Sequence, residues 1–495
     1  MSARPVFQRS RPVARRRRRT DQRGIALIMV MAAITVLTVV LVEFQDESSA
    51  DVSAAFTDRD TLKAEYIAKS GLALSRLLIA AEPTIRAAIA PMFMMLGMKS
   101  APQIPVWEFS DRVLGAFNDT EGAAEFTALA SVDLSKGKNL GLQGGRFELV
   151  IVDEDSKLNV NVAARGDAFS QQRVAMELLG LMSAEQFNPL FEGRDRDGQY
   201  SDRSTVCSAI IDWADPDESS FPCDIRAMAT AQSTAAEDSF YAMIDPPYRR
   251  KNAPFDSLDE LRLVRGVGED FWATFVDPEP GNPKKRIMTV WGSGAINVNT
   301  ANAQTLLAIV CSGVAPMTPL CVDPMQTQKF LMLVSLIRGF TAGAPMFGSP
   351  KDFIKIMQGG GLFGPMLVAM GVPPVQFLSE AETAKMLTTE SKVFSVYSDG
   401  VVKGFRRETR VRIHSVVDFR SAPAPGYGQS WATPAAMGSG AMPGQFGAGV
   451  PAMPNPAGTG AAQFGATPPA GMDPNAINGA LAPNPGGTII YYRLE

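Results

Sequence analysis

Histidine is almost missing from this chain: His414 is the single one among 495 residues. A Ser-His-Asp triad, a Cys-His pair and a multi-histidine metal centre each need that side chain as base or ligand, so the sequence argues against all three. No other nucleophile–base constellation takes their place, and the chain reads as a non-enzyme. Cysteine is sparse too, with Cys207, Cys223, Cys311 and Cys321. They form no C-x-x-C pair and none lies near His414, which speaks against zinc. Basic charge is scarce outside the first 24 residues. Those hold nine arginines and one acid, while the remaining 471 residues carry 38 basic and 50 acidic side chains. A basic head on an acidic body is not the profile of a nucleic-acid binder, which needs its basic charge on the folded domain. What the chain has is apolar residues, at 46%. That is ample for a buried core and excludes disorder of the whole chain, and the length is that of about three domains.

Ile25 to Val42 reads IALIMVMAAITVLTVVLV, 18 uncharged residues between Arg23 and Glu43. At 1.5 Å per residue they span roughly 27 Å, close to the hydrocarbon thickness of a bilayer. The arginine cluster just before them keeps the N-terminus cytoplasmic and sends the body outside. Three readings compete: a cleaved secretory signal, for which Ser48-Ser49-Ala50 is the only weak site; a plain anchor; and a third resting on Arg23-Gly24 ahead of Ile25-Ala26-Leu27. Beyond Val42 the helical pattern continues. Ile67, Gly71, Leu74 and Leu78 share one helix face, and Pro83 is the predicted stop, so Ile25 to Ala81 is one predicted helix.

Arg23-Gly24 before an apolar helix resembles the type IV prepilin signal. That resemblance implies cutting by a prepilin peptidase between Gly24 and Ile25, removal of the leader 1–24, methylation of the new terminus, and a helix that stays as inner-membrane anchor and assembly stalk. Ordinary pilins carry a glutamate at the fifth mature position; here that residue is Met29. A carboxylate in the membrane is costly unless paired, and a subunit without it lacks the usual link to a subunit ahead. This departure resembles the protein K family, the large minor pseudopilins of type II secretion.

The resemblance extends through the body. Gly145 to Asn161 reads GRFELVIVDEDSKLNVN, with Phe147, Leu149 and Ile151 alternating as in a strand. Leu158-Asn159-Val160-Asn161 is echoed by Ile296-Asn297-Val298-Asn299, and capping or turn chemistry is the favoured role for these asparagines. Between Val162 and Glu390 the pattern is helical, as in Arg173 to Met182, Ala303 to Val310 and Lys329 to Ile337. Phe255 to Trp272 resembles a helix-hairpin-helix around Gly266-Val267-Gly268. Glu269 and Asp270 would repel a phosphate there, so no nucleic-acid partner is expected. Lys392 to Tyr397, a turn at Asp399-Gly400 and Arg406 to Phe419 read as a hairpin, with His414 on its solvent side. Ile85 to Met98 is too short to span a membrane and is expected as a buried core helix.

The fold class is therefore α+β: a type IV pilin-like fold, a long N-terminal helix on an antiparallel sheet, with a large inserted helical domain. The predicted segments are the leader 1–24, transmembrane 25–42, the rest of the stalk and first strand 43–161, the insert 162–390, the sheet hairpin 391–420, a Pro/Gly/Ala-rich excursion 421–487 and a final strand 488–495. The excursion holds 12 Pro, 14 Gly and one charge, Asp473, a density that predicts disorder.

Two local site readings complete the sequence. Asp212, Asp215, Asp217 and Glu218, in VCSAIIDWADPDESS, together with Glu237 and Asp238, suit a hard, oxygen-seeking cation, with a solvated acidic loop as the competing reading because the spacing is not that of an EF-hand. The resemblance makes that cation calcium. With the body outside the cytoplasm, Cys207–Cys223 and Cys311–Cys321 are predicted disulfides. The resemblance further implies a tip complex with I- and J-like minor pseudopilins on a periplasmic pseudopilus, an inner-membrane assembly platform, and a role in exporting folded proteins across the outer membrane. An insert of this size is also too bulky to repeat along a closely packed filament. A minor pilin that initiates a type IV pilus is the alternative, and a membrane-tethered DNA receptor is a more distant one.

Overall fold

The computed structural model describes residues 23–95, 100–115, 117–118, 144–195, 198–223, 240–244, 246–341, 343–361, 363–404, 407–423 and 486–495. The leader before residue 23, Glu237 and Asp238, and residues 424–485 of the Pro/Gly/Ala-rich stretch lie outside them.

One helix, α1 (Arg23–Met95, 73 residues), dominates the N-terminal part. It does not stop at Pro83 as the sequence suggests, but runs through Pro83 and Pro91. A proline inside a helix costs about 3 kcal/mol or more. Tertiary bonds hold this turn in place. The buried Glu82 carboxylate accepts the Ile104 amide at 3.0 Å and pairs with Arg86 at 3.4 Å, and Arg86 reaches Glu390 at 2.5 Å. The stretch from Ile85 is accordingly no separate buried helix. It is the end of α1, with Phe93 buried but Ile85, Met92, Met94 and Met95 exposed, because this end meets the body along one line only.

Eight strands are described: β1 (Gly145–Asp153), β2 (Leu158–Asn159), β3 (Met288–Thr289), β4 (Ile296–Asn297), β5 (Leu387–Thr388), β6 (Val393–Lys403), β7 (Glu408–Asp418) and β8 (Thr488–Leu494). Four of them form an antiparallel sheet in the order β1-β6-β7-β8. Its core face carries Phe147, Leu149 and Ile151 from β1, Phe394 and Val396 from β6, and Val411, Ile413 and Val417 from β7. On this face lies α1, through Ala64, Ile67, Ala68, Gly71 and Leu72, with Leu74 and Leu78 beside them. The helix face expected from spacing is thus the one that packs.

The turn expected at Asp399-Gly400 is absent. β6 runs straight through it, with Asp399 opposite Arg412 and Gly400 opposite Val411. The chain reverses four residues later, where the Gly404 amide bonds the Arg407 carbonyl at 3.0 Å. Asp399 stays in the ladder because Arg410 and Arg412 donate to its carboxylate at 2.9 and 2.6 Å. The glycine serves a close backbone approach instead of a turn.

The second face of the sheet is covered around His414. His414 does not face solvent: its ring stacks on Tyr397 at 4.2 Å between centroids and meets Tyr491 at 5.1 Å. Trp291, from the insert, closes on Tyr491 at 5.5 Å.

The insert has two apolar cores. The first is built from residues between Leu158 and Val290 together with Ala308, with the helices Ala168–Met182 and Arg203–Ala214. The second is built from residues between Ile296 and Leu387, with Ala303–Gly313 and Pro324–Thr341. Each begins on a short parallel ladder, β2–β3 and β4–β5 respectively. The asparagine echo acts locally in both. Asn159 accepts the Asn161 amide at 2.9 Å, and Asn297 accepts the Asn299 amide at 3.0 Å. The helices that follow are capped by Asp167 and Asn302, so turn chemistry accounts for the repeat.

Insert and sheet are joined at the buried acidic turn after β1. Asp155 accepts the amides of Lys392 and Val393 at 2.7 and 3.0 Å and that of Ser293 at 3.1 Å. Asp153 accepts the hydroxyls of Thr300 and Ser391, both at 2.5 Å.

Candidate functional site

Two places hold the residues that the sequence singles out. The first is the start of α1. Gly24 and Ile25 lie in its first turns, and every residue from Ile25 to Val42 is exposed, Met29 included. This part of the helix is long and apolar enough to cross a membrane. Burial of that surface must come from outside the chain, either lipid or other helices.

The second is the end of the Arg203–Ala214 helix. Asp202 caps its start, accepting the Thr205 amide at 2.8 Å. At its end the chain turns extended at Asp215. Asp212 is buried and accepts the Phe221 amide and the Ser220 hydroxyl at 2.7 and 2.8 Å. Asp215 is fully buried (0% exposed); one carboxylate oxygen accepts the Gln171 amide at 2.9 Å and the other has no partner. Asp217 sits at the surface, where its carboxylate takes the Ser219 amide at 2.7 Å and its carbonyl takes Arg250 at 3.2 Å.

Electrostatics here follow from crowding of acids in a buried place. Burial pushes Asp215 up to about 7, and the charges of Asp217 and Asp212 add to the rise. Burial likewise pushes Asp212 up to about 6, partly relieved by the Phe221 amide. The Arg250 guanidinium is held below its usual range by burial, against the pull of Asp212, Asp215, Asp217 and Glu218. Such a site holds an unsatisfied oxygen and a deficit of positive charge, which is what a hard cation would fill. Among the described residues, no three acids converge closely enough to hold a metal ion. The other two predicted ligands, Glu237 and Asp238, lie outside the described residues.

Both predicted disulfides are present, Cys207–Cys223 with Cα atoms 5.9 Å apart and Cys311–Cys321 with 5.6 Å. The first ties the far end of the acidic loop back to the helix that bears Asp212. Gln171 and Arg250, which meet the acids from outside the motif, gave no sequence signal. The stretch from Phe255 to Trp272 folds as a 3₁₀ helix (Leu258–Leu263), a left-handed Gly266 and a single turn at Glu269–Phe271. Leu261, Val264, Val267 and Phe271 are buried in the first core. Arg262 lies over the Trp272 ring at 4.0 Å and pairs with Glu269. Its apolar side is thus used for packing.

Residues 156–275 match the family model described as type II secretion system (T2SS), protein K. The match is confined to this segment, about a quarter of the chain. The matched segment takes in most of the first core, the Asp212–Glu218 loop, the Cys207–Cys223 bridge and the 255–272 hairpin. Type II secretion system protein K of Aeromonas hydrophila is 26% identical over 180 residues, covering 35% of this chain and 49% of that protein. The chain thus spans about half the length of the curated relative that it matches. A solved structure, the GspK-GspI-GspJ complex from the type 2 secretion system of enterotoxigenic Escherichia coli, aligns with a TM-score of 0.34 at 16% identity. That alignment covers 56% of this chain and 76% of the other.

Proposed function

We propose that this chain is a minor pseudopilin of type II secretion, a structural subunit of the protein K kind. The observation that carries the reading is the union of a stalk and a protein K-like segment in one chain. α1 passes without a break from 18 exposed, uncharged residues into the helix that packs on the sheet, and residues 156–275 match the protein K model. In this reading prepilin peptidase cuts between Gly24 and Ile25, and Ile25–Val42 crosses the inner membrane once, with the body in the periplasm.

Met29 supports a place at the pseudopilus tip, since it offers no carboxylate to a subunit ahead. The two-core insert supports it too, because a subunit with this bulk on the sheet does not repeat in a tight helical filament. The partners are then I- and J-like minor pseudopilins, the pseudopilus and the assembly platform, and the complex initiates assembly and supports the export of folded proteins. Calcium is the cation assigned to the Asp212–Asp215 site, where the unpartnered Asp215 oxygen supports it.

Mass spectrometry of the protein extracted from membranes tests the reading. An N-methylated terminus at Ile25 is expected. A terminus near Asp51, or an intact arginine leader, would overturn it.

A further inference from the structure

The second core of the insert encloses a cavity of about 60 Å³. Its walls are nearly all apolar, with Phe330, Met346, Phe347, Phe353 and Met357 among them. Two wall residues are polar, Asn299 and Arg338, and of these Arg338, near the end of the Pro324–Thr341 helix, carries a charge. Its guanidinium has five N–H donors. It makes one long hydrogen bond, to the Val298 carbonyl at 3.4 Å, and no ion pair among the described residues. Burial pushes its pKa down to about 10, against a weak pull from Glu108.

The cavity is held open by the second asparagine echo. Asn299 accepts the amides of Met346 and Phe347, both at 2.9 Å, and donates back to the Phe347 carbonyl at 3.0 Å. These three bonds fix the wall opposite the helix. Gly343 and Ala344, both exposed, lie where the cavity meets the surface. An apolar pocket with one convergent charged group is the usual form of a small-ligand site. The charge here is a planar donor fork, which matches a carboxylate. At roughly 10–15 Å³ per water-sized probe, the space suits an apolar group of a few carbons.

We propose that this cavity binds a small apolar carboxylate, its hydrocarbon end among Phe330, Phe353 and Met357 and its carboxylate on Arg338. Such a group could be a free acid or the end of a peptide; the chemistry recognised is the same.

The test uses the full chain in lipid nanodiscs with methyl-labelled methionine, so that Met346 and Met357 report on the cavity. 4-Methylpentanoate should shift both signals saturably, and its amide should not. Arg338→Gln should weaken the acid at least tenfold while the other methyl signals stay in place. A peptide ending in a free leucine carboxylate, against the same peptide amidated, distinguishes the source. Saturation by both acids admits chain ends as well, and saturation by the free acid alone restricts the site to small acids; either upholds carboxylate recognition. No saturable shift with either acid, equal binding of acid and amide, or undiminished binding by a folded Arg338→Gln variant would overturn it.

Discussion

Gly400 lies directly under Ala64. A Cβ built on that glycine would fall inside the carbonyl oxygen of Ala64, with the amide of Ala68 also closer than contact distance. Helix and strand meet here backbone to backbone, so the approach of α1 to the sheet is set by the missing side chain.

Gly400→Ala should therefore destabilise the body, by about 1–3 kcal/mol on the scale of overpacked cores. Gly268→Ala is the control, since nothing lies within 4 Å of its added methyl and its backbone is extended. That change should stay within about 0.5 kcal/mol. Denaturant unfolding of the two variants measures the difference, and equal stabilities would rule out the close approach.

This contact also shows where the sequence misleads. Asp-Gly is a strong hairpin signal, and read locally it places the turn four residues early. The same dipeptide has another use when a helix passes overhead, and only the fold reveals the helix. Pro83 follows the same logic: its tendency to end a helix is overcome by Glu82 and Arg86, whose partners Ile104 and Glu390 are distant in sequence. What depends on period alone was legible, namely the Ile67-Gly71-Leu74-Leu78 face and the Phe147-Leu149-Ile151 alternation. The acidic loop was legible as composition, but its buried member and its Gln171 partner were not. The cysteine pairs were legible because each closes a short loop.

The disulfides should contribute unequally. Cys207 and Cys223 are 16 residues apart, Cys311 and Cys321 only 10. A loop near 15 residues is worth about 3 kcal/mol in the chain-entropy account, and a shorter one less. Replacing Cys207 and Cys223 together by Ala should lower stability by about that amount, more than the same change at Cys311 and Cys321. Chemical denaturation of the oxidised protein and both double variants measures it. Four free thiols in the protein isolated without reductant would contradict both bridges.

The acidic loop predicts a pH dependence of known sign. In the fold Asp215 and Asp212 are raised to about 7 and 6, above the ordinary carboxyl value near 3.8. The folded state then holds extra protons between pH 4 and 7, in the range set by those values. The associated stability is present in acid and is lost as pH rises through that window. Without a divalent cation, the melting temperature should fall from pH 5 to pH 8, and Asp215→Asn should flatten the fall. Calcium, if it binds the charged pair, should restore the melting temperature at pH 8 in the native sequence and not in the variant. A melting curve at pH 8 that chelation leaves unmoved removes calcium from the site.

His414 predicts a dependence of the opposite sign. Its ring lies flat on Tyr397, with 8° between the planes, and its Nε2 is buried without a partner. Burial pushes its pKa down to about 4; the charges of Glu154 and Glu495 pull it up, and those of Arg286 and Arg493 push it further down. A histidine kept neutral by the fold stabilises above its ordinary value near 6.5, and that stability is lost as pH falls towards 4. His414→Phe keeps a ring for Tyr397 and Tyr491 and removes the proton. The variant and the native protein should melt at similar temperatures at pH 7.5, and the variant should melt higher at pH 4.5. Carboxylates titrate in the same range, so the informative quantity is the difference between the two proteins at each pH, in which their contribution cancels. A difference that stays constant from pH 7.5 to 4.5 would mean that the imidazole charges freely, and with it that the second face of the sheet is open to water.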